Sequence, residues 1–127
     1  MPRPPRPTDA ELAILQVLWE HGPSTVREVH DRMAGSRTVA YTTTLKMLQV
    51  MTKKGHTVRE TVRNQHVYRA QQGKQQIQGR LLADLVDRAF GGSLSRLVVQ
   101  ALSSRRASPE ELREIRRLLA AAKRRRP

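Results

Sequence analysis

The sequence predicts a mainly α-helical protein with one small β-hairpin. Most of its apolar residues recur at three- and four-residue steps, which is the spacing of one buried helix face. Three segments begin with a capping box, a Ser or Thr followed three residues later by Glu, and these start at Thr8, Thr25 and Ser108. Residues 57–70 instead carry β-branched and aromatic side chains on both sides of Arg63-Asn64, which favours two strands joined by a turn.

The composition points to a basic protein of modest size. Its 127 residues have room for one ordinary domain, or for a small domain with an appendage. Lys and Arg number 24 against 11 Asp and Glu, which gives a formal charge of +13. Such a charge creates a positive field that attracts polyanions, so nucleic acid is the first partner to consider.

Other function classes are disfavoured by what the sequence lacks. Without cysteine there is no disulfide framework, thiolate metal site or cysteine nucleophile. The four histidines show no metal-ligand spacing, so we expect neither a metal nor a cofactor. No catalytic pair or phosphate-binding loop is apparent, and we do not expect an enzyme. The chain also lacks a long apolar run and a secretory signal, which predicts a cytoplasmic location.

Two short helices are predicted near the start of the chain, after a basic, proline-rich arm at residues 1–7. The first begins at the Thr8 capping box and ends at Gly22-Pro23. The second begins at the Thr25 capping box and ends at Gly35-Ser36. We expect Trp19 to lie in the core on the apolar stripe of the first helix. Two helices joined in this way suggest a helix-turn-helix.

A longer third helix is predicted over residues 39–54, with Gly55 at its end. One of its stripes is suited to burial and comprises Thr44, Met47, Leu48 and Met51. The opposite stripe carries side-chain types that reach phosphates and base edges; it comprises Thr42, Thr43, Lys46, Gln49 or Val50, and Lys53.

The predicted hairpin follows this helix, and the order of three helices and a hairpin is that of a winged helix. Tyr68 is expected in the core, and Arg59, Arg63 and Asn64 in or near the wing. Tyr41, at the start of the third helix, either stacks on DNA sugar and phosphate or packs on the second helix. The residues predicted to bind DNA are Tyr41, Thr42, Thr43, Lys46, Gln49, Lys53, Arg59, Arg63 and Asn64.

The second half of the chain predicts three further amphipathic helices, starting near Lys74, Ser93 and Ser108. Their apolar stripes are too large for one short chain to bury, so we expect a homodimer with three-helix dimerisation domains. The predicted domains are the arm at 1–7, a winged helix at 8–72, a dimerisation domain at 73–122 and a basic tail at 123–127. The predicted dimerisation residues are Ile77, Leu81, Leu82, Leu85, Phe90, Leu97, Val98, Leu102, Ile115 and Leu119.

Several motifs occur in an order and spacing that resemble the penicillinase repressor family of bacterial regulators, the BlaI and MecI type. The similarity extends over about residues 8–119. The motifs are Thr8-Asp9-Ala10-Glu11, Val17-Leu18-Trp19, Thr25-Val26-Arg27-Glu28-Val29, Ala40-Tyr41-Thr42-Thr43-Thr44, Lys54-Gly55, Val67-Tyr68-Arg69, Phe90-Gly91-Gly92-Ser93 and Leu97-Val98.

The resemblance implies a cytosolic dimer that binds an inverted-repeat operator in double-stranded DNA and blocks transcription. In the resistance operons of this family a membrane sensor protease responds to a β-lactam, and the repressor is cut in its dimerisation region. The matching stretch here contains Gln100 and Ala101, without the Asn-Phe pair of the staphylococcal members. A related branch senses copper through cysteines, which this chain lacks.

Two other functions are compatible with the same pattern. Winged helices also serve as protein-interaction scaffolds, for which a basic face would be incidental. The positive charge alone would suffice for a non-specific nucleic-acid-binding protein.

Overall fold

The computed structural model describes residues 5–33, 38–104 and 106–125, and these form a mainly helical fold with one hairpin. The predicted fold class is confirmed, since a helix-helix-helix-hairpin order is followed by three helices. The elements are α1 (Asp9–His21), α2 (Val26–Arg32), α3 (Tyr41–Lys54), β1 (Thr57–Val62), β2 (Gln65–Ala70), α4 (Lys74–Ala89), α5 (Leu94–Ser104) and α6 (Pro109–Arg124).

Three helices begin at the predicted capping boxes. The Glu11 backbone N–H donates to Thr8 Oγ1 at 3.2 Å, and the Thr8 backbone N–H donates to Glu11 Oε1 at 2.9 Å. The same reciprocal pair opens α2 at Thr25 and α6 at Ser108. Each box satisfies backbone donors that the first turn of a helix leaves without partners, so local sequence is enough to fix these starts.

The core of the winged helix lies between α1, α2, α3 and β2. Its buried members come from the predicted apolar stripes, and Tyr68 is 1% exposed, as expected for a core residue. Trp19 packs against this core, and its indole N–H donates to the Gln72 carbonyl at 3.0 Å. The buried cluster comprises Ile14, Leu15, Leu18, Val26, Val29, Leu48, Met51 and Tyr68.

The hairpin forms the wing, with antiparallel pairing from Thr57 opposite Ala70 to Val62 opposite Gln65. The predicted two-residue turn is present, since Arg63 and Asn64 have φ values of 52° and 66°. Positive φ at both central positions is the type I′ geometry that suits the twist of a hairpin.

A second contact ties the wing to the helix-turn-helix. Ser24, in the loop between α1 and α2, forms a β-bridge with Tyr68. The Ser24 N–H donates to the Tyr68 carbonyl at 2.9 Å, and the Tyr68 N–H donates back to the Ser24 carbonyl at 2.8 Å. These two hydrogen bonds attach the wing to the loop that joins the first two helices.

The chain divides into two compact units, residues 1–81 and 82–127. The division falls within α4, whereas the predicted domain boundary lies at residue 73, one residue before that helix. Ile77 in the first half of α4 is buried at 3% exposure, so this half belongs to the winged-helix unit. In the second unit, Gly91 and Gly92 separate α4 from α5 and both have positive φ.

Some predicted features lie outside the described residues. They are residues 1–4 of the basic arm, the end of the second helix at Gly35-Ser36, and residues 126–127 of the basic tail. Within the described part, α2 ends at Arg32 with Met33 as its C-cap.

Candidate nucleic-acid interface

Helix α3 presents a polar and basic face away from the core. Thr44, Leu48 and Met51 are its buried residues, as the periodicity predicts, whereas Met47 of the same predicted stripe is partly buried. Gly55, with φ of 90°, ends the helix in the left-handed conformation that favours glycine. The residues on the opposite side are exposed to solvent; they are Thr42, Thr43, Lys46, Gln49, Val50 and Lys53.

A groove separates this face from the first strand of the wing. Its volume is about 470 Å³, and we call it the α3–β1 groove. Lys46 and Lys53 line it from α3, and Arg59 lines it from β1. Among the residues described, these three cations form no ion pair with a carboxylate. Its remaining lining residues are Gln49, Val50, Thr52 and Tyr68.

The tip of the wing carries two more of the predicted DNA-binding residues. Arg63 and Asn64 form the turn itself and are exposed. They follow the last strand pair, Val62 with Gln65, so the full length of the hairpin separates them from Thr57 and the end of α3. The structure therefore groups Arg59 with the α3 residues, and it holds Arg63 and Asn64 at a separate, projecting point.

Tyr41 packs on the second helix, which is one of the two arrangements expected from the sequence. Its ring meets the His30 ring edge to face, with centroids 5.9 Å apart. The Arg27 guanidinium lies over the same ring, with Cζ 4.3 Å from the centroid. His30 Nδ1 is also hydrogen-bonded to the Thr44 hydroxyl at 2.9 Å. These contacts fix the start of α3 on α2.

The roles of Arg27 and His30 are not apparent from the sequence. Both side chains lie on α2 and act on residues of α3, which begins nine residues after α2 ends. Helical periodicity assigns His30 no role beyond its own helix, and it assigns Arg27 to a solvated face. No local pattern indicates a contact across such a loop.

The end of α3 is anchored to the start of α1 by an ion pair. Lys54 Nζ donates to Glu11 Oε2 at 2.9 Å, and the Glu11 side chain is 7% exposed. Burial raises the pKa of the Glu11 carboxyl, but the hydrogen bonds from the Thr8 backbone and from Lys54 outweigh it, and the pKa falls below its ordinary value. One carboxylate thus caps α1 and holds the end of α3 against it.

His56 lies two residues after the end of α3 and is buried at 2% exposure. Neither of its ring nitrogens has a hydrogen-bond partner among the described residues. Burial lowers the pKa of His56 below its ordinary value, Glu11 acts in the opposite direction, and Lys54 and Arg80 lower it further. Within the described part of the chain, no group of three or more His, Cys, Asp or Glu residues is arranged to hold a metal ion.

Half of the ten residues predicted to form the dimer interface are exposed in the single chain. Leu82, Leu85, Val98, Leu102 and Leu119 are between 39% and 63% exposed. Ile77 differs, because it is buried within its own unit. Four others are partly buried: Leu81, Phe90, Leu97 and Ile115.

The predicted scission residues, Gln100 and Ala101, lie within α5 and are exposed. None of the described helices is long and apolar enough to cross a membrane.

Comparison with known sequences decides the family. The sequence model of a family described as "Penicillinase repressor" matches residues 7–121. This chain belongs to the penicillinase repressor family. Two similar proteins are the "Transcriptional regulator BlaI" of Mycobacterium tuberculosis strains CDC 1551 / Oshkosh and ATCC 25618 / H37Rv. Each is 31% identical over 114 residues, which cover 88% of this chain and 81% of theirs.

A solved structure of a MarR family protein from Bacillus stearothermophilus is also similar. The two structures align over 89% of this chain and 75% of the MarR family chain, with a TM-score of 0.47 and 22% sequence identity. Membership of the penicillinase repressor family rests on the sequence matches alone. The family is one of transcriptional repressors, not enzymes, which confirms the expectation that the protein is not an enzyme.

Proposed function

We propose that the protein is a dimeric transcriptional repressor that binds an inverted-repeat operator through α3. The observation that carries the proposal is the exposed face of α3: Thr42, Thr43 and Lys46 face solvent, and Lys46 lines the α3–β1 groove together with two further cations, Lys53 and Arg59. A helix of this kind fits the major groove of B-DNA, where each base pair presents a distinct set of donors and acceptors.

The side chains divide into two roles in this proposal. Thr42, Thr43 and Gln49 read base edges, because hydroxyls and amides both donate and accept hydrogen bonds and the threonine methyl can contact thymine. Lys53, Arg59 and Arg63 contact phosphates, which position the protein without reading sequence. Lys46 pairs either with guanine acceptors or with phosphate. Asn64 lies beside Arg63 at the wing tip.

Dimerisation through the C-terminal helices supplies the two-fold symmetry that an inverted repeat requires. The support is the number of large apolar side chains that one chain leaves in solvent on α4, α5 and α6. On α5, Leu94, Val98 and Leu102 recur at four-residue steps and so lie along one helix face, which is typical of an interaction surface. The exposed residues are Leu82, Leu85, Leu94, Val98, Val99, Leu102, Leu118 and Leu119.

In this proposal a membrane sensor protease cuts α5 and thereby releases the operator. Gln100 and Ala101 are accessible on the surface of α5. The Gln100 carbonyl accepts a hydrogen bond from the Ser104 hydroxyl at 2.6 Å within that helix. Cleavage between Gln100 and Ala101 therefore requires α5 to unwind locally before a protease can hold the chain extended.

The test of operator recognition is footprinting followed by competition. The wild type is expected to protect an inverted repeat from its own genome, with half-sites separated by whole helical turns. It should bind that sequence about 10³-fold or more tightly than a scrambled duplex at physiological salt.

Two variants test the division of roles on α3. Thr43→Ala should lose about 1 to 3 kcal/mol of discrimination at one base pair per half-site and keep its affinity for scrambled DNA. Lys46→Ala should weaken both kinds of binding if its contact is to phosphate. Arg113→Ala, which removes the same charge from α6, serves as the control and should change neither.

The two alternative functions give different results in the same assay. Equal affinity for operator and scrambled duplex would identify a non-specific nucleic-acid-binding protein. An absence of DNA binding altogether would favour a protein-interaction scaffold.

A further inference from the structure

We propose that Arg27 of α2 is a further phosphate-binding residue of the DNA interface, and that the ring of Tyr41 positions its guanidinium. This inference rests on the proposed function, and it adds a contact from outside α3 and the wing. It also gives Tyr41 a role that acts through Arg27.

The ring of Tyr41 is a fixed surface. Tyr41 is the first residue of α3 and packs against the hydrophobic core. The His30 ring packs against the Tyr41 ring at a steep angle, and His30 is itself held by the buried hydrogen bond to Thr44. The Arg27 guanidinium, 4.3 Å from the ring centroid, therefore lies on a platform whose own position is fixed by packing and by that hydrogen bond.

The Arg27 guanidinium remains available for a ligand. A guanidinium stacked on a ring uses its planar face, and its N–H groups stay free around the edge. The side chain of Arg27 is 63% exposed. The carboxylate of Asp31 is 3.9 Å away and equally exposed, which is too long for a hydrogen bond and contributes little. A phosphate offers two neighbouring oxygen acceptors, which a guanidinium binds through two parallel N–H donors.

Arg27 also lies beside the rest of the proposed interface. It lines a concavity of about 350 Å³ between α2, α3 and the wing. Arg59 and Gln49 line the same concavity, and both also line the α3–β1 groove. The two depressions are therefore adjacent, and Arg59 is common to both.

The charge of this concavity favours an anion. Arg27 and Arg59 both line it, and its described lining residues include no Asp or Glu. Two guanidinium groups facing one depression repel each other unless an anion lies between or beside them. On a protein that binds DNA through the adjoining groove, the available anion is a backbone phosphate.

The experiment measures affinity for operator and scrambled duplexes across a salt series, using the full chain. Arg27→Ala should weaken both duplexes by the same factor, roughly tenfold for the removal of a charged hydrogen bond. It should also reduce the magnitude of the slope of log K against log salt by about 0.9 for each phosphate that is no longer neutralised. The matched control is Arg32→Ala, which removes the same charge from α2. Arg32 lies near Glu28 and does not line the concavity, so its slope should match the wild type.

Variants of Tyr41 test the platform. Tyr41→Phe keeps the ring and should bind like the wild type. Tyr41→Leu removes it and should lose part of the affinity that Arg27→Ala loses, while Arg27→Ala/Tyr41→Leu should be no weaker than Arg27→Ala alone. Circular dichroism at the assay temperature shows whether the Tyr41→Leu chain is folded. If it is not, Arg27→Ala and Arg32→Ala still test the phosphate contact, because both change exposed side chains and leave Tyr41 in place.

An Arg27→Ala slope and affinity equal to those of Arg32→Ala would overturn the inference. A loss confined to the operator would also overturn it, because a phosphate contact does not distinguish sequences. The proposed repressor function can fail without this inference. If the wild type prefers no operator, the effect of Arg27→Ala can still be measured on scrambled DNA. A wild type that binds no DNA contradicts both.

Discussion

Glu11 and His56 lie close together in the winged-helix unit, and burial affects their protonation differently. Glu11 forms hydrogen bonds with Thr8 in its cap and with Lys54 in its ion pair, so it stays charged. The His56 ring has no hydrogen-bond partner among the described residues, and its neighbours include the cations Lys54 and Arg80, so the neutral ring is favoured. The charged form of Glu11 stabilises the fold, whereas the charged form of His56 opposes it.

The histidine makes stability depend on pH in a defined direction. The native state binds the His56 proton more weakly than the unfolded chain, whose pKa lies near the ordinary value of 6.5. The contribution of the neutral His56 ring to the free energy of unfolding is therefore fully present above that pH. It is lost as the pH falls below 6.5 towards the native pKa. Thermal melts from about pH 7 to about pH 5 should show this loss.

His56→Leu should flatten that dependence, since leucine has a similar volume and no titrating or unpartnered nitrogen. His66→Gln, at an exposed position on β2, is the control and should retain the wild-type pH dependence. A His56→Leu protein that loses stability over this pH range as steeply as the wild type would contradict the assignment.

At the scale of elements, the wing turn combines a conformational cost with a proposed contact. Arg63 occupies the first central position of the type I′ turn at φ 52°, where a long L side chain is disfavoured and Asn or Gly is preferred. An arginine there costs about 1 kcal/mol relative to those residues. Strained backbone positions are concentrated at functional sites, so the conformation of Arg63 at the exposed tip favours a function for its side chain.

Arg63→Asn should therefore change stability and DNA binding in opposite directions. The free energy of unfolding should rise by about 0.5 to 1 kcal/mol. The magnitude of the slope of log K against log salt for DNA binding should fall by about 0.9. Asn64→Gly is the matched variant, because it also relieves a positive φ but leaves the Arg63 charge in place. It should stabilise the hairpin without changing the slope. An unchanged slope for Arg63→Asn would remove Arg63 from the interface.

The boundaries of these elements follow from short-range signals, and most could be predicted. The capping box at Thr8 spans four residues, and the turn at Arg63-Asn64 separates two β-rich segments. The start of α3 is marked less sharply, since Ala40 provides no side-chain cap and the helix begins at Tyr41 instead of residue 39. Where a helix start lacks a capping side chain, periodicity alone leaves it undefined by a residue or two.

Contacts between distant segments could not be predicted. Ser24 pairs with Tyr68, and Lys54 reaches back across 43 residues to Glu11. Such pairs depend on how the elements pack, which a pattern within one element does not encode. The candidate face of α3 was predictable because it lies on a single helix, whereas Arg27 was not, since its placement depends on Tyr41 of another helix.

At the scale of the whole molecule, the exposed apolar residues of the second half lead to a prediction about assembly. Sedimentation equilibrium should give about twice the mass of the chain for the wild type. Leu85→Asp should reduce the measured mass to that of a monomer, because a charge buried in the interface has no partner. Leu85 is 48% exposed in the single chain, so we expect a folded monomer, with circular dichroism close to that of the wild type.

Gln76→Asp is the control for this substitution. It adds the same charge to α4 at an exposed position nine residues away, which is about 180° around the helix. It should remain dimeric and bind operator normally, whereas Leu85→Asp should lose operator affinity because one half-site alone is held weakly. A wild type that is monomeric at micromolar concentration would contradict the proposed assembly.

The bond between Trp19 and Gln72 gives the protein a built-in optical reporter. Trp19 is the only tryptophan in the sequence, so emission excited at the red edge of aromatic absorption comes from a single known position. Its indole N–H is held by the Gln72 carbonyl, in the short segment that joins the wing to α4. Any event that pulls this segment from α1 exposes the indole to water and shifts its emission to longer wavelength. The intrinsic fluorescence of the unlabelled protein therefore reports whether the connection between wing and fourth helix is closed or open.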